Sequence, residues 1–384
     1  MPNEFIYLDH AAATPLDERV FAAMQPYFSQ KFFNPSSPYI PAISVRRDYE
    51  AAKDMIASTI GAKSDELIIT AGATESINII FGSMSGHVVT TAIEHAAVLE
   101  AAKSRAHTIV SVDENGSVSL DAIREAIRDE TRLVSIGLAN NEIGTIQKLR
   151  DISELLRDIR RRRLEVGNRT PLYLHSDASQ GAGQLDVNIA RLGLDALTLN
   201  AGKVYGPKQV GLLWVSREIK LEPFIKGGGQ ERGIRSGTEN VAGVVGFARA
   251  LQLAAEHRKS ETVRLSRLRD DLQTRLVSVF PDAVLSGNQK HRLAAHLHIS
   301  FPGIDAERLV FALEAKGVFV ATGSACAANK GTRSHVLTAI GLEPEIADGS
   351  IRLTLGRLST NKNTSKAADI IIEVVRAEYE RSGQ

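Results

Sequence analysis

Cysteine is almost absent. Cys326 is the only one in 384 residues, so no intramolecular disulfide can form and the fold has to be held by its core. Long apolar runs are missing too: none reaches the roughly 20 residues of a membrane-spanning helix, and the N-terminus lacks a secretory signal pattern. Neither sign of charge dominates, with 46 Lys+Arg against 45 Asp+Glu and a formal net charge of +1. That balance argues against a large single-sign field, so neither direct nucleic-acid binding nor an anionic membrane surface is expected. The run Arg160-Arg161-Arg162-Arg163 reads as the solvated face or end of a helix. No internal repeat and no low-complexity linker interrupts the chain. A cytoplasmic location is the expectation.

What is present is an alternation of short apolar runs and helical patterns. The runs at 67–70, 88–91, 108–112, 133–138, 172–174, 196–199 and 211–215 have the length of buried strands, with helical stretches such as 120–128 and 152–162 between them. This predicts an α/β fold whose large domain is a mainly parallel seven-stranded sheet covered on both faces. The three-proline segment 31–41 reads as a loop and 44–60 as an amphipathic helix. After about Gly237 the rhythm changes to helices at 240–257 and 261–279, a strand at 296–301, a helix at 306–315, strands at 318–320 and 350–355, and a final helix at 364–381. These form a smaller α/β domain, joined by an N-terminal strand at 5–8. The expected boundaries are 16–255 for the large domain, and 1–15 with 256–384 for the small one carrying the Cys326 loop.

Chemistry in open α/β sheets collects past the carboxyl ends of strands. One such end carries Asp177 and the next Lys203, between Gly202 and the Tyr205-Gly206-Pro207-Lys208 turn. An acid and a lysine converging there suit pyridoxal 5'-phosphate (PLP), the amine forming a Schiff base and the acid pairing with the pyridinium nitrogen. A surface ion pair is the plainer reading of two such residues taken alone. Gly72-Ala73-Thr74-Glu75 joins a strand to a helix start, where free N–H groups and the helix dipole attract phosphate; small residues there also serve as plain capping. Gly202-Lys203 is no nucleotide P-loop, since no Ser or Thr follows the lysine.

Glu94-His95 follows a strand, and a histidine so placed can stack on a flat cofactor and move protons, or simply cap a helix. Asn140-Asn141-Glu142-Ile143-Gly144 offers a side-chain amide for a phenolic oxygen, or an ordinary turn. Cys326 lies among small residues, Gly323-Ser324-Ala325-Cys326-Ala327-Ala328, a setting more suited to an accessible nucleophile than to a core thiol. Arg352, within the apolar Ile351-Arg352-Leu353, needs an anion if buried, and a substrate carboxylate would serve; on an edge strand it would face water instead.

These stretches, with Tyr7-Leu8-Asp9-His10-Ala11-Ala12, Asp177-Ala178-Ser179-Gln180, Gly227-Gly228-Gly229-Gln230-Glu231-Arg232 and Arg235-Ser236-Gly237-Thr238, occur in one order along the chain. The whole resembles the cysteine desulfurases, PLP enzymes of the aspartate-aminotransferase-like fold type I, in the branch with a long cysteine-bearing loop. The resemblance implies Lys203 as the Schiff-base lysine, Asp177 as the pyridinium partner and His95 as the stacking, proton-transferring ring. It implies that Asn141 and Gln180 contact the phenolic oxygen, and that Ala73 and Thr74 hold the phosphate with Asn200 nearby. Thr238 would arrive from the second subunit of a homodimer. Arg352, with Asn141, would bind the carboxylate of L-cysteine. Cys326 would take the sulfur as a persulfide, releasing L-alanine and passing sulfur to an acceptor protein such as an iron–sulfur scaffold, or toward tRNA thiolation. No metal site is implied.

Three places depart from the family pattern. Its Ser-x-His before the lysine is Asn200 and Gly202 here; the loop after Asn34-Pro35-Ser36-Ser37 carries Tyr39 and Ala42 in place of His and Gly; and its Pro-Asn near the substrate reads Ala295-His296. The expectation is a PLP enzyme with a weakened phosphate cup. The alternatives are a selenocysteine lyase or other PLP β-lyase, and a catalytically weakened PLP-binding paralogue.

Overall fold

The computed structural model describes residues 5–322 and 333–383. In chain order its strands are β1 (Ile6–Tyr7), β2 (Leu67–Thr70), β3 (His87–Thr91), β4 (His107–Val110), β5 (Thr131–Ser135), β6 (Tyr173–Asp177), β7 (Ala196–Asn200), β8 (Gly211–Val215), β9 (Val284–Leu285), β10 (His296–Ser300), β11 (Val318–Phe319), β12 (Ala321–Thr322) and β13 (Ser350–Thr354). Seven of them make one sheet in the order β2-β8-β7-β6-β5-β3-β4. β8 runs antiparallel to both β2 and β7, and the other neighbours are parallel. The expected α/β architecture with a mainly parallel seven-stranded sheet is therefore present. Every residue of β2, β3 and β8 is buried, as strands covered on both faces must be.

A second, antiparallel sheet has the order β12-β13-β10-β9, and β1 pairs in parallel with β11 beside it. The N-terminal strand thus joins the smaller layer. One apolar core lies against the large sheet and a second between the small sheet and its helices. Leu251 and Ala254 belong to the first core, Leu265 and Leu272 to the second. All four sit on a single helix, Val241–Val279.

That helix corrects one expectation. Two helical patterns, at 240–257 and 261–279, are one continuous helix of 39 residues, because the connecting His257-Arg258-Lys259-Ser260 contains neither glycine nor proline and nothing forces a break. The helix expected from 44 starts earlier, at Ile40. Pro41 sits in its first turn, where a missing N–H costs nothing, so the third proline of the segment begins a helix and does not prolong a loop. The arginine run is also not wholly solvated. Arg163 is buried and donates to the carbonyls of Thr131 and Thr170 at 3.0 and 3.2 Å, tying the helix Leu149–Glu165 to the start of the interior strand β5. Among the described residues no helix is long and apolar enough to cross a membrane.

Candidate active site

The carboxyl ends of β2, β3, β5, β6 and β7 open on one cavity of about 470 Å³. Ala73, Thr74, His95, Asn141, Asp177, Gln180, Asn200, Lys203 and Arg352 all line it. The parallel topology is the reason: strands that run the same way release their side chains on the same edge. Thr238 is exposed and is not among the lining residues. Cys326 lies outside the described residues.

Lys203 ends a short 3-10 turn, Ala201–Lys203, capped by Asn200, whose Oδ1 accepts the Gly202 N–H at 3.0 Å. Its Nζ donates to the carbonyls of Ala11 and Ala12 at 2.7 and 2.8 Å. The N-terminal segment therefore walls the site, and Gln180 Nε2 reinforces it by donating to Ala11 at 3.0 Å. Asp177, the last residue of β6, accepts the Ser179 N–H on Oδ1 at 2.9 Å, which fixes the carboxylate at the strand end.

Below these residues lies a buried polar layer. His175 bonds Ser135 Oγ at 2.8 Å and Thr198 Oγ1 at 3.0 Å. Desolvation lowers its pKa to about 4 against the opposing pull of Asp177, so the ring is neutral near pH 7. Glu94 accepts from Thr91 Oγ1 at 2.7 Å and from the Gly137 N–H at 3.0 Å. Desolvation nevertheless raises its carboxyl to about 7, and the charge of Asp177 adds to the rise. Glu142, in the same cavity wall, is likewise raised to about 7 by burial, although Ser334 Oγ donates to it at 2.5 Å.

His95 unites the two readings open to it. It caps the helix Ala96–Lys103, its Nδ1 accepting the Ala97 N–H at 3.1 Å, and the same ring faces the cavity. Desolvation by the surrounding cavity walls holds its pKa below the ordinary value, although the ring keeps some solvent exposure; Lys203 and His335 push the same way and Asp177 opposes. Of the two asparagines, Asn140 makes the turn, donating to Ile93 O at 2.7 Å and accepting from the Glu142 and Ile143 amides at 2.8 and 2.9 Å. These buried bonds pin the Asn140 side chain, and both asparagines line the cavity.

Arg352 is not on an edge strand. β13 lies between β12 and β10, and the residue is 2% exposed. Its Nη2 donates to Asp9 Oδ1 at 2.6 Å and its Nη1 to Asn141 O at 3.1 Å, while Nε has no protein partner among the described residues. Asp9 is a site residue that the sequence reading left without a role. The cue was a buried arginine that needed an anion, but the partner lies 343 positions away.

PLP fits the residues present. Gly72, at φ 148° with no described residue within 4 Å of where a Cβ would stand, leads into the helix Ala73–Gly82. The first-turn amides of that helix have no intrahelical acceptor and face the cavity end lined by Ala73, Thr74 and Asn200. An amine at Lys203 and an acid at Asp177 complete the donor set the cofactor needs. Gly202 supplies no side chain to the phosphate end, so the cup has one group fewer than the family pattern.

A seven-stranded, mostly parallel sheet with a lysine and an acid at adjoining strand ends defines a PLP-dependent enzyme of fold type I. A model of the aminotransferase class-V family matches residues 6–366. The chain belongs to that family and, within it, to the cysteine desulfurases. It is 38% identical over 382 residues to "cysteine desulfurase IscS" of Dictyoglomus turgidum, covering 96% of this chain and 94% of that one. A solved "NifS-like protein" superposes with a TM-score of 0.89 at 32% identity over 97% of this chain and all of the other. "SspA in complex with cysteine" superposes with a TM-score of 0.75, at 32% identity, over 91% of this chain and 98% of that one.

Proposed function

We propose that this protein converts L-cysteine to L-alanine with PLP bound, and that the sulfur leaves as a persulfide on Cys326. The observation that carries the proposal is the convergence of Lys203, Asp177, His95 and Arg352 on one cavity. When bound, PLP supplies an electron sink that weakens the bond between cysteine Cβ and sulfur. The protein's own residues do the rest. Arg352 is a buried cationic group available for the substrate carboxylate. Lys203 Nζ is placed to hold the cofactor, to take the substrate α-proton and to protonate the same carbon later. Asp177 holds a positive charge opposite it, and His95, neutral near pH 7, can pass a proton at the cofactor face. The cysteine complex of a relative supports the choice of substrate. The sulfur step is balanced: the substrate C–S bond breaks, an S–S bond forms on Cys326, and the thiol proton is released for the alanine methyl group.

The complete enzyme in this reading is a homodimer. Two observations support it: Thr238 is exposed, and the phosphate end of the site opens beside Phe224, which is 47% exposed. The reading also includes a cytoplasmic location, a sulfur-acceptor protein such as an iron–sulfur scaffold, and a domain boundary near residue 255 inside the long helix. Purified protein supplied with PLP should absorb in the visible, change its spectrum on adding cysteine, and release alanine. Cys326→Ser should keep the cofactor absorbance and lose sulfur transfer. Colourless protein, or borohydride fixing no pyridoxyl group at Lys203, would overturn the proposal.

A further inference from the structure

Behind Lys203, away from the main cavity, lies a second and smaller one of about 70 Å³. The two share Ala11, Gln180 and Lys203. The small cavity contains polar atoms that the protein does not satisfy. His10 is 6% exposed, and its Nδ1 lies 3.1 Å from the Thr354 carbonyl. A carbonyl can only accept, so Nδ1 carries the proton and Nε2 is left as an acceptor. That Nε2 is buried without a partner among the described residues. Tyr205 adds the complementary group. Its oxygen accepts the Arg357 N–H at 2.8 Å, and its own hydrogen finds no acceptor among the described residues.

Unpaired buried polar atoms are rare in folded proteins, and polar cavities of this size are usually occupied by water. At about 30 Å³ each, roughly two waters have room here. One between Tyr205 Oη and His10 Nε2 would satisfy both. At the outer end stand His257 and Glu261, four residues apart on the long helix, and His257 is exposed to solvent. The polar lining thus runs from Lys203 to the surface without crossing the substrate cavity.

We propose that this back cavity is a water-filled proton channel through which Lys203 exchanges protons with solvent during turnover, His10 holding the water that takes part. The proposal rests on the desulfurase reading above. When Lys203 Nζ has taken the α-proton of cysteine, one ammonium proton passes to the cavity water and a solvent proton replaces it. No electrons move and no co-reactant is required. The α-proton is thereby lost to bulk before it can return to the product.

The test is isotopic. The PLP-loaded enzyme is given α-deuterated cysteine in ordinary water, and deuterium in the alanine is measured by mass spectrometry. The unaltered protein should retain little label. His10→Phe, which keeps a ring but removes the acceptor, should retain at least several-fold more, and Tyr205→Phe should shift the same way. Equal retention in the unaltered protein and His10→Phe overturns the channel while leaving the desulfurase reading intact. Absence of alanine from the unaltered protein overturns that reading and the channel with it. A high-resolution crystal structure of the unaltered protein provides a second readout that requires no variant to fold. Ordered water within hydrogen-bond distance of His10 Nε2 is expected, and a dry cavity would sink the channel.

Discussion

Arg352 Nη2 and Asp9 Oδ1 are 2.6 Å apart at the junction of the small sheet and the N-terminal segment. The arginine side chain is 3% exposed, so its charge depends on Asp9 whenever no substrate carboxylate is present. Removing one partner of a buried pair leaves an uncompensated charge, at a cost of roughly 3 kcal/mol. Asp9→Asn should therefore lower thermal stability by an amount calorimetry resolves. A bound carboxylate would re-pair Arg352. Alanine should accordingly raise the melting temperature of the variant more than that of the unaltered protein, and an equal rise in both would refute this role for Asp9.

The Asp9–Arg352 pair also marks the limit of what the sequence discloses. An arginine in an apolar run signals that an anion is needed, because burial of an unpaired charge is costly. It does not say which acid, since the choice is made by the pairing of β1 with β11 and by Asp9 meeting Thr354. The ends of β6 and β7 were readable for the opposite reason: Asp177 and Lys203 follow their own strands directly, and parallel order alone brings them together. The antiparallel setting of β8 was not readable, as an apolar run such as Gly211-Leu212-Leu213-Trp214-Val215 carries no direction. Nor was the burial of Glu94 and Glu142, each flanked by one isoleucine and one polar residue.

His95 gives a pH signature. Its pKa is held below the ordinary value of 6.5 by desolvation, with Lys203 and His335 adding to the effect. The neutral ring is then present at pH 7 and is lost only as the pH falls through the lowered pKa. The acid limb of kcat/KM attributable to this group should lie below pH 6.5. His95→Gln should reduce kcat by roughly 10²–10⁴-fold, the usual contribution of a positioned acid–base group, and should remove that limb. A limb unchanged in the variant would assign it to another group.

Glu94 makes a stability prediction of definite sign. Its carboxyl is raised by desolvation from 4.5 to about 7, so between these values the folded state binds a proton that the unfolded state has released. The group's contribution is therefore fully present below pH 4.5 and is lost as the pH rises through 7. Glu94→Gln cannot titrate. Relative to the unaltered protein, the variant should gain roughly 3 kcal/mol between pH 4.5 and the range above 7. Denaturant titrations at several pH values measure the difference directly, and a flat difference would show that Glu94 is ionised throughout.

Gly202 permits a gain-of-function test of the phosphate cup. The family pattern has a histidine where this chain has glycine, and the backbone here does not require the change. A Cβ at 202 would meet Asn200 Oδ1 at 3.4 Å and Lys208 Cγ at 3.7 Å, ordinary contacts, and φ is not positive. The position lines the outer cavity together with Ala73 and Thr74, so an imidazole would have space on the side where the phosphate would sit. A hydrogen bond to a charged group contributes about 1.5–3 kcal/mol, equivalent to roughly 10–100-fold in affinity. Gly202→His should therefore bind PLP more tightly by about that factor in an equilibrium titration of the apo-protein, with Gly202→Ala as the control for chain stiffness. If both substitutions leave the affinity unchanged, the phosphate is held by the Ala73 and Thr74 end of the helix alone, and the missing side chain at 202 weakens nothing.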